Sequence, residues 1–308
     1  PFWKAARIQL EFDGLNLSNT VHTKYKKSQR HTFKNECSIE QLGLLDTNLW
    51  HAKLHQYWLP GEVSASEKLH DFIQSNIYTY DKDRDIPGVM GTSKLSAHLH
   101  FGEITPAQII YALQQQEFKP GSQTDIERFI TEIGWREFAS QILWHFPLTT
   151  NKAMNVKFDK LWSDKCDSKK FNAWKLGCTG YPIIDAGMRE LRETGWMHNR
   201  VRMIVGSFLT KNLGIHWLHG AKWFWDNLVD ADLASNSMGW QWVAGCGVDA
   251  APYYRIFNPD TQTKRFDPDS SYINKWLPDD YIQYQNKPIV DLKNSRADAL
   301  LRYKNLTS

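Results

Sequence analysis

Residues 182–214 read PIIDAGMRELRETGWMHNRVRMIVGSFLTKNLG, and this stretch decides the fold class. Proline is favoured in the first turn of a helix and glycine just beyond its last turn. The sequence therefore predicts a helix that begins at Pro182 and ends at Gly195. A second apolar stripe with helical spacing then runs up to Gly214. It consists of Val201, Ile204, Val205, Phe208 and Leu209. Two consecutive helices are predicted.

The same spacing extends toward both ends of the chain. After Ser66 the apolar positions fall at 69, 72, 73 and 77, and Thr105-Pro106 is a helix N-cap followed by proline. Residues 125–146 carry an apolar helical face closed by Pro147. Alternating patterns typical of β-strands are almost absent. The sequence predicts an all-α core from about residue 64 to about residue 250, followed by a looped C-terminal tail.

Residues 1–62 have a different character. They are polar and irregular, rich in Lys, His, Asn and Gln, and end in Leu59-Pro60-Gly61. A loop of this length inside one compact domain is unusual. We expect a connector with at most one short helix, leading from a domain upstream of this chain, which opens without Met and without a secretory leader. The predicted domains are residues 1–62, the connector, and residues 63–308, the helical domain.

The composition is that of an ordinary globular protein with one anomaly. Of 308 residues 42% are hydrophobic and 23% charged, and no apolar run as long as a membrane span lacks charge. The formal net charge of +3 permits an anionic partner without requiring one. Four dispersed cysteines predict reduced thiols in an intracellular, cytoplasmic protein. The anomaly is 14 tryptophans, which favours large packing surfaces or rings that stack, grip a planar cofactor or relay electrons.

Two motif matches carry no function. Residues 245–250 fit the dinucleotide pattern GxGxxA, but they follow a Trp-rich segment rather than a strand. His51 and His55 are four residues apart, without a third ligand at metalloprotease spacing. No metal site is predicted.

Four stretches carry side chains suited to chemistry. Gly91-Thr-Ser-Lys-Leu-Ser96 offers hydroxyls and free N–H groups that can hold a phosphate. Residues 132–136 place an acid, an indole and a guanidinium on one helical face. Residues 195–203 contain two arginines beside Asn and Met, and residues 230–242 contain two Asp, an Asn and two Trp. Taken singly, each also fits a polar turn, a core tryptophan or an exposed ion-pair face.

Taken together, the motifs resemble the C-terminal, FAD-binding region of the DNA photolyase/cryptochrome family, most of all the class I-like cyclobutane pyrimidine dimer photolyases. They occur in family order over roughly residues 60–280 as GTSKLS, GWREF, TGYPIIDAGMREL, TGWMHNRVRM, DADLASN, WQW and DAAPYYRIFNP. The resemblance implies a helical FAD-binding domain. It also implies that the family's N-terminal α/β domain, with an antenna chromophore of unknown identity, is missing upstream.

The resemblance implies FAD as the cofactor, active as the reduced anion FADH⁻. Arg202 and Asp230 would form an ion pair beside the flavin ring, and Asp232 would accept from the ring or ribose. Asn236 stands where photolyases carry an amide, which cannot titrate, opposite flavin N5. Phe129 departs from the tryptophan common in the family. The implied cofactor-binding residues are Tyr80, Thr92, Ser93, Lys94, Leu95, Ser96, Phe129, Arg202, Asp230, Asp232 and Asn236.

The resemblance also implies a pocket for a dimer flipped out of UV-damaged DNA. Glu132 and Asn199 would hydrogen-bond the thymine edges, and Trp135 and Trp242 would form an apolar wedge. The implied DNA-binding residues are Arg84, Glu132, Trp135, Arg136, Asn199, Arg200, Met203, Trp242, Arg255 and Gln262, the four arginines being phosphate clamps. The candidate catalytic residues are Glu132, Asn236 and three tryptophans that match the family's electron relay between the surface and the flavin, Trp240, Trp217 and Trp174.

The implied function is light-driven repair of cyclobutane pyrimidine dimers, a carbon–carbon lyase reaction in which an electron passes from excited reduced FAD to the dimer and returns. The alternative is a cryptochrome-like blue-light photoreceptor of the same fold. Met197-His198-Asn199 disfavours a (6-4) photolyase, and a flavin-free DNA-binding module would lack blue absorbance. The expected partner is UV-damaged DNA. The protein is expected to be a monomer that binds no membrane and needs no obligate protein partner.

Overall fold

The computed structural model describes residues 2, 4–6, 38, 40–44, 50–162, 166–249, 254–277 and 288–307. Over these ranges the regular structure is helical and contains no β-strand, so the predicted all-α class is confirmed. No helix within them is both long enough and apolar enough to cross a membrane.

Thirteen α-helices are numbered here in chain order over the described ranges. The first five are α1 (Glu62–Gln74), α2 (Tyr80–Asp83), α3 (Ser96–His100), α4 (Pro106–Gln114) and α5 (Gln123–His145). The next five are α6 (Ser168–Leu176), α7 (Pro182–Thr194), α8 (Asn199–Ser207), α9 (Trp217–Asn227) and α10 (Leu233–Ala244). The last three are α11 (Pro259–Phe266), α12 (Ser271–Trp276) and α13 (Leu292–Thr307). Short 3₁₀ helices are Glu40–Leu42, Trp50–Gln56, Asn76–Thr79, Pro147–Thr150 and Val156–Leu161, and a π turn, Phe208–Asn212, continues α8.

The helix pair predicted from residues 182–214 is confirmed. Helix α7 begins at Pro182, and Gly195 ends it with a left-handed backbone, φ 67°. Gly187 lets α8 approach α7 closely, because a Cβ there would lie 2.4 Å from Cγ1 of Val201. Gly245 ends α10 with φ 87°, so the first glycine of the GxGxxA match terminates a helix.

The predicted looped C-terminal tail is wrong, because residues 254–307 contain α11, α12 and α13. Asn258 caps α11, and Pro259 occupies its first position, whereas α12 is held by local and tertiary hydrogen bonds. The Asp267 carboxylate accepts from the backbone N–H groups of Tyr272, at 2.9 Å, and Ile273, at 3.0 Å. The Tyr272 hydroxyl, fully buried, donates to Oε2 of Glu190 on α7 at 2.6 Å.

The described part of the predicted connector packs on the end of α7. The indole N–H of Trp58 donates to the carbonyl of Thr194 at 2.7 Å, and Nζ of Lys53 lies 2.9 Å from Oε2 of Glu193. The remaining residues of the connector lie mostly outside the described ranges.

Two apolar clusters form the core. One joins α1 to α5 and includes Phe72, Ile109 and Phe129. The other joins α6 to α10 with α12 and includes Trp174, Phe208 and Trp240. Helices α5 and α10 pack against each other across the two clusters, and a cavity opens where residues from both sides meet.

Candidate functional site

A cavity of about 450 Å³ is lined by residues from the segment after α2 and from α5, α8, α9 and α10. Twelve of the residues singled out from the sequence line it: Arg84, Glu132, Trp135, Asn199, Arg200, Arg202, Met203, Asp230, Asp232, Asn236, Trp240 and Trp242. Residues from motifs more than 100 positions apart in the sequence therefore line the same cavity.

The predicted ion pair between Arg202 and Asp230 is present at one wall of this cavity. Nη2 of Arg202 donates to both carboxylate oxygens of Asp230, at 3.0 and 2.8 Å. Nε of Arg202 donates to the carbonyl of Met197 at 2.7 Å, which fixes the plane of the guanidinium. Asp230 is only 8% exposed, and burying a carboxylate costs free energy of desolvation. The charge of Arg202 and the two hydrogen bonds offset that cost.

Helix α10 presents an amide to the cavity. Nδ2 of Asn236 donates to the carbonyl of Ala221 on α9 at 3.0 Å, so the carbonyl oxygen of the same side chain is available as an acceptor. Asp232 has a structural task as well, because its Oδ1 accepts from the backbone N–H of Ser235 at 2.7 Å and caps the helix.

Trp240 forms the inner wall, where it contacts Phe224 at a ring-centroid distance of 4.9 Å. Its ring fits against α9 only because residue 220 is glycine: a Cβ there would lie 2.1 Å from Trp240. Trp174 contacts both rings, with its centroid 6.3 Å from that of Trp240 and 6.3 Å from that of Phe224.

The three tryptophans assigned to the electron relay are buried, and the relay itself stays a prediction. Trp174 and Trp217 are both fully buried, and Trp240 is 4% exposed. The indole N–H of Trp174 donates to the carbonyl of Val205 at 3.1 Å, which fixes the ring in the core. Trp217 instead stacks on His216 at 5.7 Å, and His216 contacts Trp162 at 5.1 Å.

The opposite side of the cavity is charged. Nη2 of Arg84 lies 2.9 Å from Oε1 of Glu132, and Nη2 of Arg200 lies 2.6 Å from Oδ2 of Asp85. Burial raises the pKa of Glu132, and the positive charge of Arg84 opposes that shift. Two of the predicted phosphate clamps are thus paired with carboxylates in the protein alone.

Two tryptophans stand at the mouth of the cavity. Trp135 is 42% exposed, and its ring meets Phe138 at 5.8 Å. Trp242 is half-buried, with the guanidinium carbon of Arg255 5.6 Å from its ring centroid and Phe257 stacked at 6.4 Å. Exposed aromatic rings beside a polar cavity can stack on a flat ligand.

The remaining predicted cofactor residues lie outside the cavity. Tyr80 and Phe129 pack together in the core at 5.3 Å, and Leu95 is 1% exposed. Ser96 accepts from the indole N–H of Trp196 at 3.3 Å. Thr92, Ser93 and Lys94 are half-buried in the same loop.

Trp196 connects this loop to the cavity. Nζ of Lys94 lies 5.0 Å from the centroid of the Trp196 ring, and the guanidinium carbon of Arg202 lies 5.8 Å from it. Lys94 also adopts a left-handed backbone, φ 51°, which is uncommon for a residue with a side chain. The loop and the Arg202–Asp230 pair therefore adjoin the same indole.

Arg136, Arg255 and Gln262 do not line the cavity either. Nη1 of Arg136 lies 2.7 Å from Oε1 of Glu137, and its Nη2 donates to the carbonyl of Leu99 at 3.3 Å. Arg255 is exposed beside Trp242, and the side-chain oxygen of Gln262 is buried without a hydrogen-bond partner.

Sequence reasoning missed several cavity residues. Asp85, which pairs with Arg200, was visible only as part of a charged run, and Phe224 carried no polar signal. Asp249 lines the cavity with a left-handed backbone, φ 56°, which no sequence pattern indicated. Over the described ranges, no group of three or more His, Cys, Asp or Glu residues is arranged to hold a metal ion.

The fold and site define an all-helical domain whose cavity combines a buried ion pair, an amide, an acid and several indoles. Residues 129–281 match the family model described as the FAD binding domain of DNA photolyase. The deoxyribodipyrimidine photo-lyase of Agrobacterium fabrum is 50% identical over 231 residues, covering 75% of this chain and 48% of that protein. Cryptochrome-2 of Arabidopsis thaliana is 38% identical over 251 residues, covering 79% of this chain and 41% of that protein.

A solved structure extends the similarity to the fold. The class III photolyase of Agrobacterium tumefaciens superposes with a TM-score of 0.81 at 42% identity, covering 91% of this chain and 63% of that one. This chain belongs to the DNA photolyase/cryptochrome family. It spans about half the length of the curated relatives it matches. The class I-like assignment stays a prediction.

Proposed function

We propose that this chain is the catalytic part of a photolyase that repairs cyclobutane pyrimidine dimers in DNA. The observation that supports this most is one cavity with two kinds of lining. Arg202, Asp230 and Asn236 come from α8, the segment after α9, and α10, and Glu132 and Trp135 come from α5. A flavin and a flipped lesion would share that space.

The residues present fit FAD. The guanidinium of Arg202 has committed Nη2 and Nε, so Nη1 remains to donate to an anionic ring, and Asn236 offers a carbonyl oxygen. The loop of Thr92, Ser93 and Ser96 supplies hydroxyls for phosphates. When bound, FAD supplies light absorption and one-electron chemistry, which side chains alone cannot.

The chain's own residues would bind and orient the lesion. Glu132 and Asn199 offer hydrogen-bonding groups to the polar edges of the two thymines, and Trp135 and Trp242 offer apolar rings to their faces. Met203 lines the same cavity and fills space below them. A damaged pair costs less to unstack than an intact one, which contributes to selectivity.

Arginines around the mouth would bind the DNA backbone. Arg255 is exposed, and Arg84 and Arg200 could exchange a carboxylate partner for a phosphate when DNA arrives. We also retain the proposed division into a connector, residues 1–62, and a catalytic helical domain, residues 63–308. Trp240 would be the tryptophan that passes electrons to the flavin.

The second candidate is a cryptochrome-like photoreceptor, which the 38% identity to Cryptochrome-2 of Arabidopsis thaliana favours. Such a protein would respond to light through its flavin without splitting a dimer. Asn236 argues against it because an amide cannot supply a proton to a photoreduced flavin.

The deciding experiment is illumination of the FAD-loaded, chemically reduced chain with an oligonucleotide that contains one thymine dimer. A photolyase restores the intact thymines. A photoreceptor changes its flavin spectrum in light and leaves the dimer intact. Glu132→Ala should lower repair per photon while the FAD absorbance is kept, because unpaired lesion edges cost about 1–3 kcal/mol. Glu67→Ala, which removes an exposed carboxylate on α1, should repair as the parent does.

A further inference from the structure

The π turn after α8 carries a buried lysine that the proposed function has not used. Lys211 is 1% exposed, although lysine is almost never fully buried without a partner. The turn itself, Phe208–Asn212, interrupts the regular hydrogen bonding of the helix. Single π turns inside helices are frequent at functional sites. The position of this lysine therefore calls for a physical reason.

The ammonium of Lys211 joins two segments that are distant in sequence. Its Nζ donates to the carbonyl of Val243 in the last turn of α10 at 2.7 Å, and also to the carbonyl of Arg255. The ring of Tyr254 covers it, with Nζ 4.5 Å from the ring centroid. Both carbonyls are backbone atoms, so the lysine fixes the course of the chain at residue 255 rather than a side chain.

A second contact from the same helix end reinforces the first. Oγ of Ser207 accepts from the backbone N–H of Phe257 at 3.0 Å. Lys211 and Ser207 therefore hold the backbone of residues 254–257 at two points, Arg255 and Phe257. That segment carries the Arg255 guanidinium and the Phe257 ring, both of which contact the ring of Trp242.

We propose that Lys211 is a positioning residue for DNA binding: it fixes the backbone of residues 254–257 so that the exposed Arg255 guanidinium is held beside Trp242, ready to bind a backbone phosphate at the mouth of the cavity. The proposal rests on the proposed function, since it assumes that this mouth receives DNA. A side chain placed in advance loses less conformational freedom on binding, which strengthens the contact.

Packing alone does not account for a lysine at this place. Burial lowers the pKa of Lys211 to about 7, so the site is unfavourable for its charge. A methionine would fill a similar volume without that cost. Only the amine can donate hydrogen bonds to the carbonyls of Val243 and Arg255 at the same time.

The test is a double-mutant cycle on DNA affinity with Lys211→Met and Arg255→Ala in the full chain loaded with FAD. Undamaged duplex is the probe, and its dissociation constant is measured over a salt series. We expect either substitution to weaken binding roughly tenfold and to flatten the salt dependence by about one phosphate. In the Arg255→Ala background, Lys211→Met should have little further effect, because the residue it positions is gone. FAD content should stay at the parent level.

Four outcomes overturn the proposal. Independent, additive losses would show that Lys211 does not act through Arg255. An unchanged affinity and salt slope in Lys211→Met would show that the segment needs no such tether. A parent chain that repairs dimers but binds DNA equally well after Arg255→Ala would refute the positioning role and leave the proposed function intact. A parent chain that does not bind DNA would refute both.

Two further variants guard against an effect on folding alone. Lys222→Met removes an exposed lysine on α9 and is the matched control for charge, with parent affinity expected. If Lys211→Met does not fold, Ser207→Ala replaces it in the cycle, because it removes the other tether with a small change in volume. Ser207→Ala should then show a smaller loss of affinity that also disappears in the Arg255→Ala background.

Discussion

The guanidinium of Arg84 lies 2.9 Å from the carboxylate of Glu132, so a residue assigned to the DNA backbone and a residue assigned to the lesion are partners of each other. Burial raises the pKa of Glu132, while Arg84 and, less strongly, Arg128 lower it. Arg84 therefore helps to keep Glu132 ionised. An ionised carboxylate accepts two or more hydrogen bonds and donates none.

Arg84→Gln should make recognition of the dimer dependent on pH. Without the positive charge, the pKa of Glu132 rises further, and the carboxyl group gains a proton as the pH falls toward the acidic range. The ratio of damaged to undamaged affinity should then fall as the pH is lowered, and it should fall more than in the parent. Arg84→Gln also removes one phosphate contact, which weakens binding of damaged and undamaged DNA equally. This loss cancels in the ratio of the two affinities. Glu132→Gln, alone or combined with Arg84→Gln, should abolish this pH dependence, and its persistence would contradict the coupling.

Trp240 and Trp242 should separate electron supply from lesion binding. Trp240→Phe keeps an apolar ring in the inner wall but removes part of a buried indole, so some stability is lost. Phenylalanine is harder to oxidise, so photoreduction of oxidised FAD should slow sharply, while repair by chemically reduced enzyme persists. Trp242→Phe should keep photoreduction and lose dimer affinity. Parent-like photoreduction in Trp240→Phe would show that electrons enter elsewhere.

Gly220→Ala should destabilise the protein although alanine favours helices. The new Cβ would lie 2.1 Å from the ring of Trp240, so the ring must move, and such overpacking costs about 1–3 kcal/mol. Gly239→Ala on α10 is the matched control, because its Cβ would meet nothing within 4 Å. That change should leave the free energy of unfolding equal or raise it by up to about 1 kcal/mol. Urea unfolding of both variants measures the contrast, and equal stabilities would contradict it.

His198 should contribute to the loss of stability in acid. Burial lowers its pKa from 6.5 to about 4, so the unfolded chain binds a proton between these values that the folded chain does not. Its stabilising effect is present above pH 6.5 and is lost as the pH falls toward 4, at up to about 1.4 kcal/mol per pH unit.

His198→Asn isolates this effect because it keeps a helix cap without a titrating ring. Nδ1 of His198 accepts from the backbone N–H of Arg200 at 3.2 Å, and the Asn oxygen can replace it. The free energy of unfolding should fall less in the variant than in the parent between pH 6.5 and 4. Parallel losses would show that other groups account for the acid sensitivity.

The sequence by itself determined where the long helices lie and singled out twelve of the residues that line the cavity. Pro182 and Gly195 mark the ends of α7 because helix termini are set by residues within a few positions of each other. The motif resemblance paired Arg202 with Asp230, and the structure has that pair. The capping residues, the 3.6-residue spacing of apolar positions and the order of the motifs were enough to predict these helices and this ion pair.

Only the tertiary structure decided which charges are free and which rings are buried. Arg200 pairs with Asp85, 115 positions away, and Trp174 lies fully buried in the core. Helix α12 is anchored because the Tyr272 hydroxyl donates to Glu190, 82 positions away, and Nζ of Lys211 donates to carbonyls in two other segments. Such contacts depend on how the helices pack in space, and neighbouring residues in the sequence carry no signal of them.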